Sequence, residues 1–533
     1  MPDIDEAVET ALRHHQNGHL QQAKEQYQLI LRTAPANPAA LYSSGLIAFQ
    51  TGEYEQAVVL ISQAIKNKPQ VPQFYNALGV VFKALGKPQK AIDAYRQALS
   101  IQSVYPQAYY NLANVLRDQG RYQEAVENYK NTININPDNV KAYNNLAGTL
   151  KKQNNLTEAM IYSERAIQLD PDNAEAYYNL ATILGDQGRC SEAIDYYNQA
   201  IQLKPDYAEA HLNLSLALLL FGRFEEGWSQ YEWRRKTKLN SSFYQRTPEK
   251  LIWDGSSFVG KRLFVQCEQG LGDTLQFIRY LPMVKARGGT VIFELWHPLI
   301  NLLHEFDGID KFVVLSPDKP DVKFDFYISL MDLPAIFRTT LDSIPDSVPY
   351  VYADSTKADY WRARLDGPDF KVGIVWAGSA KHENNHNRSC KLKHFAPLAS
   401  IDGVRLYSLQ KDASATQLRQ FPAGKVLANP AEEFEDFTDT AAVIENLDLI
   451  ISVDTAIVHL AGAMGKPVWT LLPFAPDWRW MLERDDNPWY PTMRLFRQEK
   501  WGDWETVFAS VAEQLRILTE THIAEKSLTT KAG

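Results

Sequence analysis

The feature that most constrains this chain of 533 residues is a period of 34 residues that runs through its first half. Small residues, aromatic residues and prolines all return at this spacing. Such a period is typical of a solenoid in which each unit is a helical pair that cannot bury its apolar face alone. The glycines of the register are Gly18, Gly52, Gly86, Gly120, Gly188 and Gly222, and the prolines are Pro35, Pro69, Pro137, Pro171 and Pro205.

Each unit of the period predicts a helix, a tight turn and a second helix. Glycine suits the left-handed turn, and Asn154 stands in its place in one unit, since asparagine tolerates that conformation next best. The prolines mark the exit from each unit. The pattern resembles the tetratricopeptide repeat (TPR) over residues 1–235, in about seven units. The resemblance implies an all-α, right-handed solenoid with a concave groove.

An asparagine recurs at the same period in the middle of the first helix of several units. Asparagine is a mediocre helix residue, so its recurrence there needs a reason. Carboxamides at a fixed register can bond the backbone of an extended peptide without reading its side chains. This set resembles the asparagine ladder of the O-linked N-acetylglucosamine transferases, although asparagine is also common in TPR consensus sequences. Its members, the predicted acceptor groove, are Asn111, Asn145, Asn179 and Asn213.

From Lys261 onward the pattern changes to short apolar runs that alternate with helical segments. This alternation is typical of α/β folds. Two doubly wound domains that face one another would form a ligand cleft between their strand ends. We expect a linker at 236–260, a first Rossmann-like domain at 261–348, a second at 349–520 and a tail at 521–533.

The stretch Leu449 to Trp469 organises the second of these domains. An apolar run with no alternation opens it, which predicts a strand buried on both faces. A helix and a second apolar run follow, so the stretch predicts a β-α-β unit. Asp454 and Thr455 lie at the turn, where the free N–H groups of the helix form an anion site. The turn is either a cradle for a phosphate or an ordinary helix cap.

Composition adds expectations about partners and location. The net charge of −9 gives no general attraction to nucleic acid or to an anionic membrane surface. Cys190, Cys267 and Cys390 are widely spaced and match no metal or disulfide pattern, which favours a reducing, cytoplasmic compartment. We see no signal peptide and no apolar run long enough to span a membrane.

Three stretches of the second half resemble glycosyltransferases of the GT-B fold, most closely the heptosyltransferase family, family 9. They are Gln269-Gly-Leu-Gly-Asp273, Trp376-Ala-Gly-Ser379 through Arg388-Ser389, and Ser452-Val-Asp-Thr-Ala-Ile-Val-His459. The resemblance covers about residues 260–520. The fusion of TPR units to such a domain is also similar to the protein O-glycosyltransferases.

The resemblance implies a role for each matching residue. Asp273 is the candidate general base for an inverting transfer, or a cap of the helix that follows it. Gly270 and Gly272 let the backbone approach the sugar or phosphate closely. The other implied contacts to the donor are Ser379, Arg388, Ser389, Lys391, Asp454, Thr455 and His459.

Two further assignments, besides that of Asp273, have alternatives. The basic residues Arg388 and Lys391 would offset the charge of the leaving diphosphate, or they belong to a solvated loop. The segment Lys381 to Asn387 departs from the family pattern, so the residue that replaces the family's phosphate-binding lysine is open. His459 points at the donor or is a histidine satisfied in the core.

These features predict a glycosyltransferase that moves a sugar from a nucleotide-sugar to a protein or peptide in the TPR groove. We expect no cofactor and no metal, because the second half shows no metal-ligand spacing. One alternative is a TPR scaffold whose GT-B half does not turn over. Another is a transferase that acts on a glycan, with the TPR units used for assembly. The sequence does not name the sugar, the base or the acceptor.

Overall fold

The computed structural model describes residues 4–238, 241–247, 251–316, 318, 320–380, 384–411, 413–422 and 427–532. The chain divides into two compact units, Met1–Pro205 and Asp206–Gly533. The first unit is all-α, and the second contains one helical pair followed by two parallel α/β domains. The fold class expected from the sequence is therefore confirmed.

The first unit consists of antiparallel helical pairs that stack in chain order. The period explains the packing, because its alanines lie fully buried where the two helices of a pair touch, as at Ala57 and Ala91. Asn154 takes a φ of 60°, the left-handed conformation expected of it. The helices are α1 Ile4–Gln16, α2 Leu20–Thr33, α3 Pro38–Gln50, α4 Tyr54–Asn67, α5 Pro72–Ala84, α6 Pro88–Ile101, α7 Pro106–Asp118, α8 Tyr122–Ile135, α9 Val140–Lys152, α10 Leu156–Leu169, α11 Ala174–Asp186 and α12 Cys190–Leu203.

The second unit opens with a further pair, α13 Ala208–Leu220 and α14 Phe224–Tyr231, joined at Gly222 with a φ of 72°. Gly227 replaces the alanine of the period, because a Cβ there would lie 2.6 Å from a Leu219 side-chain atom. This pair shares a compact unit with the α/β domains, whereas the solenoid was expected to extend to residue 235. Aromatic contacts such as Phe224 on Trp489, with ring centroids 6.0 Å apart, account for the difference.

The first α/β domain has a four-stranded parallel sheet in the order β3-β2-β1-β4. Its central strand β1 is buried from its second residue onward, as expected of a strand covered on both faces. The strands are β1 Arg262–Gln266, β2 Thr290–Leu295, β3 Lys311–Val314 and β4 Phe326–Ser329. The helices of this part are α15 Ser241–Tyr244, α16 Leu271–Phe277, α17 Leu281–Lys285, α18 Ile300–Leu303 and α19 Leu333–Ile336.

The second α/β domain has a six-stranded parallel sheet in the order β10-β9-β8-β5-β6-β7. The predicted β-α-β unit is confirmed as β8, α23 and β9, with every residue of both strands buried. The strands are β5 Phe370–Val375, β6 Val404–Ser408, β7 Leu427–Ala428, β8 Leu449–Val453, β9 Val468–Leu472 and β10 Met493–Arg497. The helices are α20 Ser355–Arg364, α21 Asn385–Arg388, α22 Phe437–Glu445, α23 Ala456–Ala463 and α24 Trp504–Ala532.

Several predicted elements differ in detail. The expected helix Thr274 to Ala286 begins earlier, at Leu271, and is interrupted before Pro282, which lacks the N–H that a continuous helix needs. Strand β10 was not predicted, and the expected tail continues α24 to Ala532. The predicted strand Lys425 to Ala428 begins outside the described residues. In the part of the chain that the structure describes, no helix is both long and apolar enough to cross a bilayer.

Candidate functional site

The first candidate motif lies where β1 ends and α16 begins, and we call residues 268–273 the GxGD loop. Asp273 is the third residue of α16, and its Oδ2 accepts a hydrogen bond of 2.7 Å from the Gly270 N–H. Its side chain is 20% exposed. The carboxylate therefore caps the first turn of α16, and part of it remains accessible to solvent. The capping and functional interpretations of Asp273 are compatible.

The second candidate motif, Asp454 to Ala456, lies between β8 and α23, and we call it the DTA turn. Thr455 caps the helix, since its Oγ1 accepts a hydrogen bond of 3.3 Å from the Ile457 N–H. The Ser452 hydroxyl lies 3.1 Å from the same Oγ1 and fixes its orientation. The turn lies at the carboxyl edge of the sheet, next to the end of β5, where open α/β sheets bind ligands.

The GxGD loop and the DTA turn meet because α16 packs directly on α23. A Cβ at Gly272 would lie 2.7 Å from His459 Cδ2 and 3.5 Å from Ala456 Cα. His459 is buried, its Nδ1 lies 3.1 Å from the Tyr490 hydroxyl, and its ring stacks on Trp480. This geometry favours a packing role for His459, and its predicted contact with a donor stays a prediction.

The third stretch is a loop of residues 376–391, of which 381–383 lie outside the described residues, and we call it the basic loop. The guanidinium of Arg388 lies over the backbone of Gly378, where a Cβ would come within 2.6 Å of Nη2. Arg388 Nε is buried and has no hydrogen-bond partner within the described structure. Ser389 Oγ accepts a bond of 3.0 Å from the Gly378 N–H, so it holds the loop. Both Ser379 and Lys391 are exposed.

A further residue, which the sequence analysis missed, joins these motifs. Arg479 follows β9 and is 8% exposed. Its Nη2 pairs with Asp273 Oδ1, its Nη1 lies 2.8 Å from Asp477 Oδ1, and its Nε donates to Gln276 Oε1 at 2.9 Å. The buried guanidinium of Arg479 in the second α/β domain therefore contacts Asp273, the candidate base, in the first domain. The only sequence signal was the aromatic cluster Trp478-Arg479-Trp480, which matches no motif.

Burial and the neighbouring charges shift the pKa values of the titratable groups in these motifs. Burial raises the pKa of the Asp273 carboxyl above its usual value, and the neighbouring Arg479 opposes that shift. Burial and the nearby carboxylate of Asp477 raise the pKa of Asp454 to about 6, against the opposing effect of Arg388. Burial and the nearby arginines hold the pKa of His459 well below its ordinary range, so that ring is neutral at pH 7.

No group of three or more His, Cys, Asp or Glu side chains among the described residues is placed to hold a metal ion. The expectation of a metal-free, cofactor-free reaction is not tested by that observation. Arg479 is already paired with two carboxylates, so an anion at the DTA turn would meet the N-terminus of α23 and the positive charge of Arg388.

The predicted acceptor asparagines lie on the first helices of their pairs and are partly buried. Asn111 Nδ2 donates to Asn76 Oδ1 at 3.0 Å. Asn145 Nδ2 donates to the Tyr110 hydroxyl at 3.0 Å and to Asn114 Oδ1 at 2.9 Å. Two members of the set therefore also bond within the array. Asn179 lies on α11, and Asn213 lies on α13 in the second unit.

Family comparisons agree with this architecture. Models of the tetratricopeptide repeat match residues 8–72, 81–116, 113–154 and 138–206. The model "Glycosyltransferase family 9 (heptosyltransferase)" matches residues 402–484. The chain therefore combines tetratricopeptide repeats with a family 9 glycosyltransferase domain. The family 9 match includes the DTA turn and Arg479, whereas the GxGD loop and the basic loop lie outside it.

Individual proteins resemble parts of the chain. Protein FlbA of Caulobacter vibrioides is 28% identical over 327 residues, which cover 56% of this chain and 53% of FlbA. The chain thus matches about half the length of that relative. Among solved structures, MamA is 25% identical over 30% of this chain and 94% of its own, with a TM-score of 0.29. PilF of Pseudomonas aeruginosa is 22% identical over 39% of this chain and 97% of its own, with a TM-score of 0.34.

The contact between the GxGD loop and helix α23 makes Gly272→Ala a test of the geometry. The added methyl would meet the ring of His459, so we expect a loss of about 1–3 kcal/mol in the free energy of unfolding. Calorimetric unfolding measures the effect. A second change, His459→Ala, should recover part of the loss, because it removes the atom that the methyl meets.

The control for this prediction is Gly148→Ala in α9. No atom lies within 4 Å of a Cβ added there, so this change should stabilise the protein by about 0.5–1 kcal/mol. If Gly272→Ala is as well tolerated as Gly148→Ala, α16 does not pack on α23 as described.

Proposed function

We propose that this protein transfers a sugar from a nucleotide-sugar to a protein or peptide bound by the repeats, by a metal-free, inverting mechanism in the cytoplasm. The observation that carries the proposal is the junction at Arg479. This residue pairs with Asp273 of the GxGD loop while its own loop extends from the sheet that bears the DTA turn. In this proposal, a base and an anion-binding turn from two separate domains serve one reaction centre.

The donor diphosphate binds at the DTA turn in this proposal. The backbone N–H groups at the start of α23 and the helix dipole favour a negative group there. The guanidinium of Arg388 lies against Gly378, and its buried Nε has no hydrogen-bond partner within the described structure. A fixed positive charge in a closed site stabilises the charge that develops on the leaving diphosphate.

Asp273 acts as the base in the transfer step. The acceptor hydroxyl oxygen attacks the anomeric carbon, the bond from that carbon to the diphosphate oxygen breaks, and the hydroxyl proton passes to the carboxylate. The Gly270 N–H and Arg479 each occupy one oxygen of the carboxylate, and each oxygen keeps a lone pair for the proton. The raised pKa of Asp273 makes it a stronger base than an ordinary aspartate.

A cavity beside the GxGD loop gives the acceptor room. Its volume is about 550 Å³, and its lining includes the residues that directly follow β1, β2 and β3, namely Cys267, Trp296 and Leu315. Phe243, Trp296 and Leu315 supply apolar walls, and Glu268 and Gln269 of the GxGD loop also line it. We propose that the cavity takes the acceptor segment around the modified hydroxyl, while the TPR groove binds a longer stretch of the same partner.

Nucleoside diphosphate binding is the experiment that tests this function. Titration calorimetry with ADP, GDP and UDP should detect binding of one or more, and Arg388→Ala should weaken it. Loss of a charge-assisted contact corresponds to an increase in Kd of about 10- to 150-fold. The control is Arg364→Ala, which removes an exposed arginine paired with Glu433 in the same α/β domain. Absence of binding by all three at millimolar concentration would contradict the enzyme and favour the scaffold alternative.

A further inference from the structure

The two residues that precede Gly270 are held by the end of α14, the second helix of the seventh pair, and by the residues that follow it. Gln269 donates from Nε2 to the Tyr231 hydroxyl at 2.9 Å, and Tyr231 is the last residue of α14. Gln269 has a φ of 62°, in the left-handed region that a residue with a side chain rarely adopts. A conformation of this kind persists only where surrounding contacts impose it. The bond to Tyr231 is such a contact.

Glu268 is also held by residues that follow α14 in the chain. Its carboxylate accepts two hydrogen bonds of 2.9 Å from Arg234, and the hydroxyls of Tyr244 and Ser329 also bond to it. Arg234 is 1% exposed and pairs with Asp332 at 2.7 Å as well. Burying such a network adds little stability by itself, whereas removing one partner leaves an uncompensated charge. Its effect is to fix where the GxGD loop starts.

Helix α14 also contacts the loop that carries Arg479. The ring of Trp228 meets Trp478 edge to face, with centroids 5.4 Å apart. The Trp228 indole N–H donates to the Thr339 carbonyl at 2.9 Å, which fixes that ring. Trp478 in turn lies under the Arg479 guanidinium, 4.5 Å from its ring centroid. One helix of the repeat type therefore contacts both the loop of the candidate base and the loop of the arginine that pairs with it.

We propose that α14 belongs to the transferase site. Tyr231 is the positioning residue, which holds the GxGD loop and thereby fixes the position of Asp273. The inference rests on the proposed role of Asp273 in transfer. Tyr231 does not touch the reacting atoms. It acts through Gln269, whose backbone leads directly into Gly270 and the first turn of α16.

The test compares Tyr231→Phe with Thr519→Val in the full chain. Each change deletes one buried hydroxyl, and that of Thr519 donates only to the Leu515 carbonyl within α24. Hydrogen exchange of residues 266–273 should speed up by about 2- to 13-fold in Tyr231→Phe, the equivalent of one net hydrogen bond. With an active donor and acceptor pair, kcat should fall about 10- to 100-fold with unchanged diphosphate affinity, because misplaced catalytic groups cost that much. Thr519→Val should change neither quantity.

The double variant Tyr231→Phe/Gln269→Leu separates this role from general destabilisation. If the two residues act through their mutual bond, the double variant should be no worse in kcat than the poorer single variant. Exchange of residues 266–273 that stays at the Thr519→Val level in Tyr231→Phe would overturn the inference, even in a protein with no detectable transfer. If the unmodified chain binds none of the three nucleoside diphosphates, the proposed function is overturned instead.

Discussion

Replacing Asp273 with asparagine is expected to lower kcat by about 10²- to 10⁴-fold, the usual loss when a general base is removed. The change is nearly isosteric, and the asparagine Oδ1 can still accept from the Gly270 N–H, so the first turn of α16 should survive. Affinity for the nucleoside diphosphate should change little, because the DTA turn and Arg388 supply that binding in our proposal. Single-turnover kinetics and calorimetry on the same sample measure the two quantities separately.

Asp477→Asn is the matched control for that experiment. Asp477 is the other carboxylate bound to Arg479, at 2.8 Å, and it also begins a short 3₁₀ helix by accepting from the Arg479 N–H. A large loss of activity in Asp273→Asn alone indicates a base, whereas equal losses in both variants would indicate only a need for the ion pairs of Arg479. Activity within a few-fold of the unmodified protein would mean that another group takes the proton.

The pH dependence provides a second check on Asp273. The carboxylate is the active form, so kcat/KM should fall as the pH drops through its pKa. Burial raises that pKa above the ordinary aspartate value of 3.8, which moves the acidic limb to higher pH than an exposed aspartate would give. The residual activity of Asp273→Asn should lack this limb. A limb that persists in the variant would belong to another group, with Asp454 and its pKa of about 6 the first to examine.

The parts of the fold that the sequence predicted are those in which local pattern and burial agree. The period of 34 residues places a glycine at every turn except the one at Asn154, and Gly52 and Gly120 have the positive φ that the turn requires. The strand Leu449–Val453 was predicted because a continuous apolar run has few alternatives to burial on both faces. Strand β10 has charged residues at Arg494 and Arg497 and lies at the sheet edge, so its sequence carried no such signal.

The parts of the site that the sequence did not predict depend on contacts between distant segments. Arg479 and Asp273 are 206 residues apart, and neither local spacing nor composition connects an arginine in one loop to a carboxylate in another. The role of His459 was open for the same reason, since only the packing of α16 on α23 shows that its ring lies against Gly272. The bonds to Gln269 and Glu268 likewise come from Tyr231 and Arg234, which were predicted to belong to the repeats, and from Tyr244 in the predicted linker.

The ladder of Asn111, Asn145, Asn179 and Asn213 is expected to carry much of the affinity for the acceptor. Each bond to a peptide backbone contributes about 0.5–1.5 kcal/mol net, so the change of all four to alanine should raise acceptor KM about 30-fold or more. The effect of a single Asn→Ala change on acceptor KM can fall within experimental error. Because Asn145 already donates to Tyr110 and Asn114, its remaining capacity is the carbonyl oxygen, which suits a peptide N–H.

Folding of the quadruple variant should survive, because alanine is the better helix former and the four positions are only partly buried. Asn144→Ala is the matched control, since Asn144 is 3% exposed and bonds to Asn173 in the next pair at 3.1 Å. That change should lower helix stability in circular dichroism melts without altering acceptor KM. The opposite pattern, a collapse of helicity in the quadruple variant with unchanged kinetics at permissive temperature, would mean that the ladder asparagines hold the repeats together. The bonds of Asn111 to Asn76 and of Asn145 to Asn114 would then be their function.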